Sequence, residues 1–242
     1  MNFGKPEWHA QLASTNGTLL ERIKSGESVP DGLVLAAREQ TAGHGRLARK
    51  WVSQAGRDLT FSFAWRPGVE APYLASLPMA AAVGVAAALE GFEVQAQTKW
   101  PNDLRVTGRK ICGVLAEGSG GAVVVGIGLN VNATADELAG VGQPATSLGI
   151  ESGLYLDVEA VLEQVLEGLG PPLAAWREQG FAGVADAWTG RCDAIGTRVE
   201  VGDGQAGKQG VFVGVGPAGQ LLLGDDAGQV EEVWAGDMTL LD

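Results

Sequence analysis

The chain has 242 residues, 45% of them apolar and 19% charged, with 29 Asp and Glu against 17 Lys and Arg and a formal net charge of -12. That length holds roughly one or two domains with a sizeable core, and the acidic balance argues against a large nucleic-acid footprint. Two cysteines far apart and two histidines exclude a disulfide framework and a histidine-rich metal site.

Mean hydropathy is near zero, as in soluble globular proteins. Met1 to Ala13 contains no secretory h-region, and no charge-free apolar run reaches the ~20 residues of a membrane span, so a reducing cytoplasmic setting without membrane insertion is expected.

The first 13 residues carry Trp8 and His9 and leave no room for an N-terminal DNA-binding domain. Ser14-Thr15-Asn16-Gly17-Thr18 leads into Leu19, Leu20 and Ile23 at helical spacing, and Thr18-x-x-Glu21 fits a capping box. Ser14, Thr15 and Asn16 are open to two readings: ordinary caps, or hydroxyl and amide groups facing a polar ligand from a helix start. After a Val29-Pro30-Asp31-Gly32 turn, Leu33 to Arg38 reads as a buried strand.

The strand feeds residues 38 to 57, where Arg38, Arg46, Arg49, Lys50 and Arg57 crowd together with His44, opposed only by Glu39. Gly43 and Gly45 free the backbone for close approach, and Trp51 adds a flat surface. Flexible glycines, permanent cations and one large aromatic suit an anion carrying a ring, such as a nucleotide. A Gly-x-Gly alone is a weak signal.

Leu59 to Trp65 alternates as a strand. Tyr73 to Glu90 is apolar nearly all round and predicts a packed helix with Gly91 as its C-cap. Val94 to Thr98 predicts a strand running into Lys99-Trp100-Pro101-Asn102-Asp103, where Pro101 stops it. An ordinary turn accounts for Pro-Asn-Asp but not for the flanking Lys and Trp. Strands follow at Ile111 to Glu117 and Ala122 to Leu129, joined by a Gly118-Ser119-Gly120-Gly121 hairpin loop. Residues 156 to 189 read as helix interrupted at Gly170-Pro171-Pro172, with Leu162, Val165, Leu166, Leu169, Trp176, Phe181 and Trp188 in the core. From 191 to 242, short β runs at Arg198–Val201, Gly210–Val215, Leu221–Leu223 and Val230–Ala235 alternate with Gly and Asp turns and predict a small β-barrel.

Taken in order, Ser14-Thr15-Asn16, Gln40-Thr41-Ala42-Gly43-His44-Gly45-Arg46, Arg49-Lys50-Trp51, Lys99-Trp100-Pro101-Asn102-Asp103, Gly108-Arg109-Lys110-Ile111-Cys112-Gly113 and Gly126-Ile127-Gly128-Leu129-Asn130 closely resemble the biotin protein ligases. The resemblance covers residues 10 to 190, and the C-terminal barrel is also a family feature. It implies an α+β fold: a mixed β-sheet catalytic domain with packed helices, of the class II synthetase-like biotin/lipoate ligase kind (1–190), then the small barrel (191–242). It further implies two-step chemistry. Biotin and ATP, usually with Mg²⁺, give biotinyl-5′-AMP, and a lysine of the biotin carboxyl carrier protein of acetyl-CoA carboxylase then takes the biotin.

By position, the resemblance assigns Ser14, Thr15, Asn16, Gln40, Gly43, His44, Gly45, Arg46, Lys110 and Gly113 to biotin. It assigns Arg46, Arg49, Trp51, Lys99, Asn102, Lys110 and Asn130 to ATP and the adenylate. Lys110 is the expected principal catalytic residue, with Arg46 beside it. Trp51 is expected to cover the adenine, and no residue is assigned to a metal. His44 stands where many members have arginine. Histidine is partly charged near pH 7, so anion binding through it would weaken as pH rises through its pKa. A ligase without DNA binding, as a monomer or homodimer, is expected. A lipoate-type ligase would leave the ureido partners Ser14, Thr15 and Gln40 unmatched, and a non-catalytic biotin or nucleotide sensor should have lost Lys110 or Arg46.

Overall fold

The structure, a computed structural model, describes residues 1–69, 71–202 and 207–241. Strands β1 (Glu7–His9), β2 (Val34–Ala37), β3 (Leu59–Trp65), β4 (Gln97–Lys99), β5 (Asp103–Val106), β6 (Arg109–Ser119) and β7 (Ala122–Leu129) form a seven-stranded mixed sheet ordered β1-β2-β3-β7-β6-β5-β4. Only β1–β2 is parallel, and the remaining neighbours are antiparallel. The β6–β7 hairpin follows from its own residues. Val and Ile fill most of the buried positions, and Gly120 and Gly121 turn the chain at φ 57° and 77°, where side chains are disfavoured.

Helix α1 (Thr15–Lys24) packs on one face of this sheet. It starts a turn earlier than the Thr18 capping box predicts. Ser14 is the N-cap and accepts from Gly17 N at 3.3 Å, while Thr18 Oγ1 donates back to the Ser14 carbonyl at 2.9 Å. On the other face lies α2 (Leu77–Glu90). The predicted helix from Tyr73 is 3₁₀ until Ser76, because Pro78 seats naturally in the first α turn. By length and composition Tyr73–Glu90 would pass for a membrane span, but 67% of it is buried in the core.

Short helices α3 (Ala135–Leu138) and α4 (Leu148–Ser152) precede α5 (Val158–Gln179), and α6 (Ala185–Thr189) follows it. Helix α5 does not break at Gly170-Pro171-Pro172, as the sequence predicts. Its apolar seam of Leu162, Val165, Leu166, Leu169, Leu173 and Trp176 stays on the core side through the prolines, so packing overrides propensity. Proline at 172 deprives the Gly168 carbonyl of its helical donor. That carbonyl instead abuts Gly84 of α2, where an added Cβ would lie 2.9 Å from it and 2.7 Å from Leu169 Cα. Gly84→Ala is therefore expected to destabilise the protein by about 1–3 kcal/mol in thermal or urea unfolding, despite alanine's better helix propensity.

Strands β8 (Arg198–Gly202), β9 (Lys208–Val215), β10 (Leu221–Gly224), β11 (Val230–Val233) and β12 (Asp237–Leu240) form a second sheet, antiparallel throughout and ordered β11-β10-β9-β8-β12. The β8–β9 turn at 203–206 lies outside the described residues. This sheet docks on the first through the β9–β10 turn. Trp100 is 2% exposed and donates its indole N–H to the Gly219 carbonyl at 2.9 Å. The tryptophan that a simple turn did not explain is thus a joint between the two sheets.

Candidate active site

Glycines open a cleft over the middle of the large sheet. Gly113 on β6 pairs with Gly128 on β7, and Gly126 lies two residues before it. With no side chains there, the sheet surface is a flat floor. The basic loop folds over it as a closed knob, with Gly45 N donating to the Arg49 carbonyl at 2.7 Å and Trp51 N to the Gly43 carbonyl at 3.0 Å. Leu47 takes the left-handed conformation at its tip, φ 54°. Counted with the open solvent at its mouth, the cleft holds about 860 Å³. Its wall includes Ser14, Thr15, Asn16, Gln40, His44, Gly45, Arg46, Arg49, Trp51, Lys99, Asn102, Lys110 and Gly113, thirteen of the sequence-assigned residues. Gly43 and Asn130 are not on the wall. Gly43 packs behind it against Gln40 and the Trp51 carbonyl. Buried Asn130 braces the 144–148 segment, donating its amide to the Thr146 carbonyl at 2.9 Å.

One end of the cleft is neutral and polar. Gln40 Oε1 accepts from Thr15 N at 2.7 Å and from Thr15 Oγ1 at 3.1 Å. Ser62 Oγ lies 2.6 Å from both Thr15 Oγ1 and Asn16 Oδ1. A hydroxyl has one proton, and Thr15 spends its own on Gln40, so only one of those two contacts is donated at a time. Asn16 donates its amide to Glu117 Oε2 at 2.8 Å, and His44 Nε2 stands 3.6 Å from the same oxygen. Ser14 accepts from the helix backbone and so keeps its proton for a ligand. Ser14 is the cap of α1, and Ser14, Thr15 and Asn16 also line the cleft wall.

The other end is charged. Lys110 Nζ lies 2.8 Å from Asp103 Oδ1 and 5.8 Å from the centroid of the Trp51 ring. Asp103 Oδ1 is buried and satisfies no hydrogen bond, so the contact with Lys110 is ionic rather than aligned. Lys110's backbone is clamped on both sides, N donating to the Pro144 carbonyl and its carbonyl accepting from Thr146 N, each at 2.9 Å. Arg46 faces Asp237 of β12 at 3.7 Å, and Arg49 pairs with the same carboxylate. Burial pushes the Arg46 pKa down, with Asp103 opposing and Arg49 reinforcing the shift. Lys99 is pushed down to about 8 by burial and then by Arg105, with Asp103 opposing.

Trp51 does not stand over an open site. Its indole lies flat on the floor, so that a Cβ on Gly128 would fall 2.3 Å from Trp51 Cε2 and one on Gly113 would fall 3.2 Å from Cζ3. Ser62, Glu117, Gly128 and Asp237 belong to this arrangement, and sequence reasoning missed them. Ser62 carried a faint signal as one of two small polar residues, with Thr60, in β3. The carboxylates carried none, since Asp237 is 191 residues from Arg46, which it faces.

A cleft with a neutral polar end, a cationic end and a flat floor suits an amphipathic acid laid beside a phosphate. Residues 8–133 match the model of the biotin/lipoate A/B protein ligase family. A biotin–[acetyl-CoA-carboxylase] ligase of Paracoccus denitrificans is 34% identical over 237 residues, covering 90% of this chain and 95% of that one. One of Mycobacterium tuberculosis is 35% identical over 240 residues, covering 96% and 87%. The structure of the biotin protein ligase from Aquifex aeolicus in complex with biotin and ATP superposes with a TM-score of 0.84 at 31% identity, covering 99% of each chain. The chain therefore belongs to the biotin/lipoate A/B protein ligase family.

Proposed function

We propose that the protein is an ATP-dependent biotin–protein ligase that makes biotinyl-5′-AMP and then passes the biotin to a lysine of the biotin carboxyl carrier protein of acetyl-CoA carboxylase. One observation carries this reading: a single cleft joins the Ser14–Thr15–Asn16–Gln40–Ser62 hydrogen-bonding hub to the cations Arg46, Arg49, Lys99 and Lys110. The hub suits the neutral ureido head of biotin. The cations suit the step in which the biotin carboxylate oxygen attacks the α-phosphorus and pyrophosphate leaves, where like charges must meet. In the second step the carrier lysine's neutral amine attacks the biotinyl carbonyl, AMP leaves, and the nitrogen sheds a proton to solvent. A low-dielectric cleft strengthens every charge interaction in both steps.

Among the described residues no group of three or more His, Cys, Asp and Glu has the geometry to hold a metal ion. Asp103 Oδ1 is taken up by Lys110 at 2.8 Å, so Mg²⁺ would arrive on the triphosphate and be held by its oxygens. It would supply charge neutralisation of the phosphates. A lipoyl group has no ureido ring to satisfy the hub, and the curated relatives named above are biotin ligases, which favours biotin. A cytoplasmic location fits this reading. Incorporation of labelled biotin into a biotin carboxyl carrier domain, with ATP and Mg²⁺, tests the function. Transfer dependent on both substrates is expected, and absence of both transfer and biotin-dependent pyrophosphate release overturns it.

Lys99 gives this reading a pH signature. With its pKa near 8, it is about half neutral at pH 8, and a phosphate beside it favours the charged form. ATP binding is expected to take up roughly half a proton at pH 8 and close to none at pH 6. Calorimetry in buffers of different ionisation enthalpy reads the uptake, and Lys99→Met should abolish it.

A further inference from the structure

Arg46 and Arg49 sit on the basic loop, but the carboxylate that faces both comes from the second sheet. Gly236 adopts φ 127°, a conformation that disfavours side chains, and turns its carbonyl and the following Asp237 toward the loop. The Gly236 carbonyl accepts from Arg46 Nη1 at 3.2 Å, Asp237 Oδ1 is 3.7 Å from the same nitrogen, and Asp237 pairs with Arg49. Asp237 is anchored in turn, since its strand begins by pairing with Gly202 of β8. Because the knob is closed by its own backbone hydrogen bonds, holding Arg46 and Arg49 holds residues 43–51 together. The arginines repel each other, so the knob needs an anion between them.

We propose that Asp237 is a counter-ion clasp: in the ligand-free protein it stands in for a nucleotide phosphate opposite Arg46 and Arg49, and it surrenders both to ATP. The clasp rests on the ligase reading for the identity of the displacing anion. A triphosphate carries several charges and bidentate acceptors against the single carboxylate, so it wins the arginines. The C-terminal sheet thereby sets ATP affinity without touching the nucleotide, and ATP binding frees the basic loop from that sheet. Asp237 is a positioning residue that acts through the two arginines.

Asp237→Asn keeps the size and removes the charge. In steady-state pyrophosphate release, its KM for ATP is expected to fall about three- to tenfold, with kcat within roughly twofold and the KM for biotin unchanged. Trypsin should cleave the ligand-free variant after Arg46, Arg49 or Lys50 about threefold faster than wild type, or more. Removing any negative charge near a phosphate site favours ATP, so the decisive comparison is in an Arg49→Gln background. There the gain from Asp237→Asn should shrink by at least half, because only Arg46 of its two partners remains. Arg49→Gln alone, on a side chain 60% exposed, should also quicken cleavage after Arg46 and Lys50. An unchanged or raised KM for ATP in Asp237→Asn, an unchanged cleavage rate, or full additivity with Arg49→Gln overturns the clasp. If wild type releases no pyrophosphate, the ligase reading falls, while the ligand-free cleavage rates still decide whether the clasp exists.

Discussion

Lys110→Ala is expected to lower biotin-dependent pyrophosphate release by about 10²–10³-fold, the loss typical of deleting one preorganised charge from a transition state. The fold should survive. Lys110's backbone is clamped by Pro144 and Thr146, and neither hydrogen bond uses the side chain. Deletion does more than subtract a positive charge. Asp103 is 9% exposed and ion-paired with Lys110 at 2.8 Å, so its carboxylate would be left facing the phosphates alone. The lost attraction and the unmasked repulsion have the same sign, which is why the effect is placed at the upper end. It also yields a control: Asp103→Asn in the Lys110→Ala background should recover part of the loss. A loss below about tenfold, with the unfolding midpoint unchanged, would move the principal charge to Arg46 or Lys99.

The same logic runs across the whole cleft. Three of the four cations that the sequence offers to a phosphate already have a carboxylate partner in the ligand-free protein: Asp103 for Lys110, Asp237 for Arg46 and Arg49. An acidic chain solves the problem of storing an anion site by supplying the anions itself. The ligand then displaces internal ion pairs rather than only solvent, which lowers affinity while keeping the cations held in place.

How legible this was depended on whether the determining contact was local. The β6–β7 hairpin was readable because two apolar runs flank a glycine turn in adjacent sequence, and β3 because Leu59 to Trp65 alternates. Trp176, Phe181 and Trp188 were rightly assigned to the core, each no more than 2% exposed. The continuation of α5 through Pro171 and Pro172 was not readable, because the apolar seam that holds it faces α2 from another part of the chain. Strand β1 was missed since three residues carry no period, and its pairing partner β2 begins 25 residues after it ends. In the cleft, the motif residues came with their resemblance. The residues that tune them came from elsewhere: Asp237 from the second sheet and Glu117 from the far end of β6. Charge complementarity between distant segments leaves no periodic trace. Trp51 was legible as a wall residue but not in its posture, which the paired glycines beneath it decide.

That posture sets the second large effect. Gly128→Val is expected to cut adenylation by about 100-fold or more while leaving the unfolding midpoint nearly unchanged. Gly128 sits on a rigid central strand, paired with Thr60 on one side and Gly113 on the other, so the backbone has no freedom to withdraw. An added Cβ would lie 2.3, 2.4 and 2.8 Å from Trp51 Cε2, Cζ2 and Nε1, which forces the indole off the floor. The larger side chain then projects into open cleft rather than into packed core, so little stability is lost. A planar group of the ligand that used this floor would be displaced by more than an ångström, and misplacement on that scale costs on the order of 10²-fold in rate. Gly128→Ala should fall between, because one methyl asks the indole to move less far than three carbons do. The two half-reactions separate the causes. If only the fit of the adenylate is damaged, pyrophosphate release falls and the KM for biotin, read at the distant polar hub, stays within about threefold. If Gly128→Val keeps wild-type adenylation, the paired-glycine floor is not part of the substrate path, and Trp51 has no need to leave it.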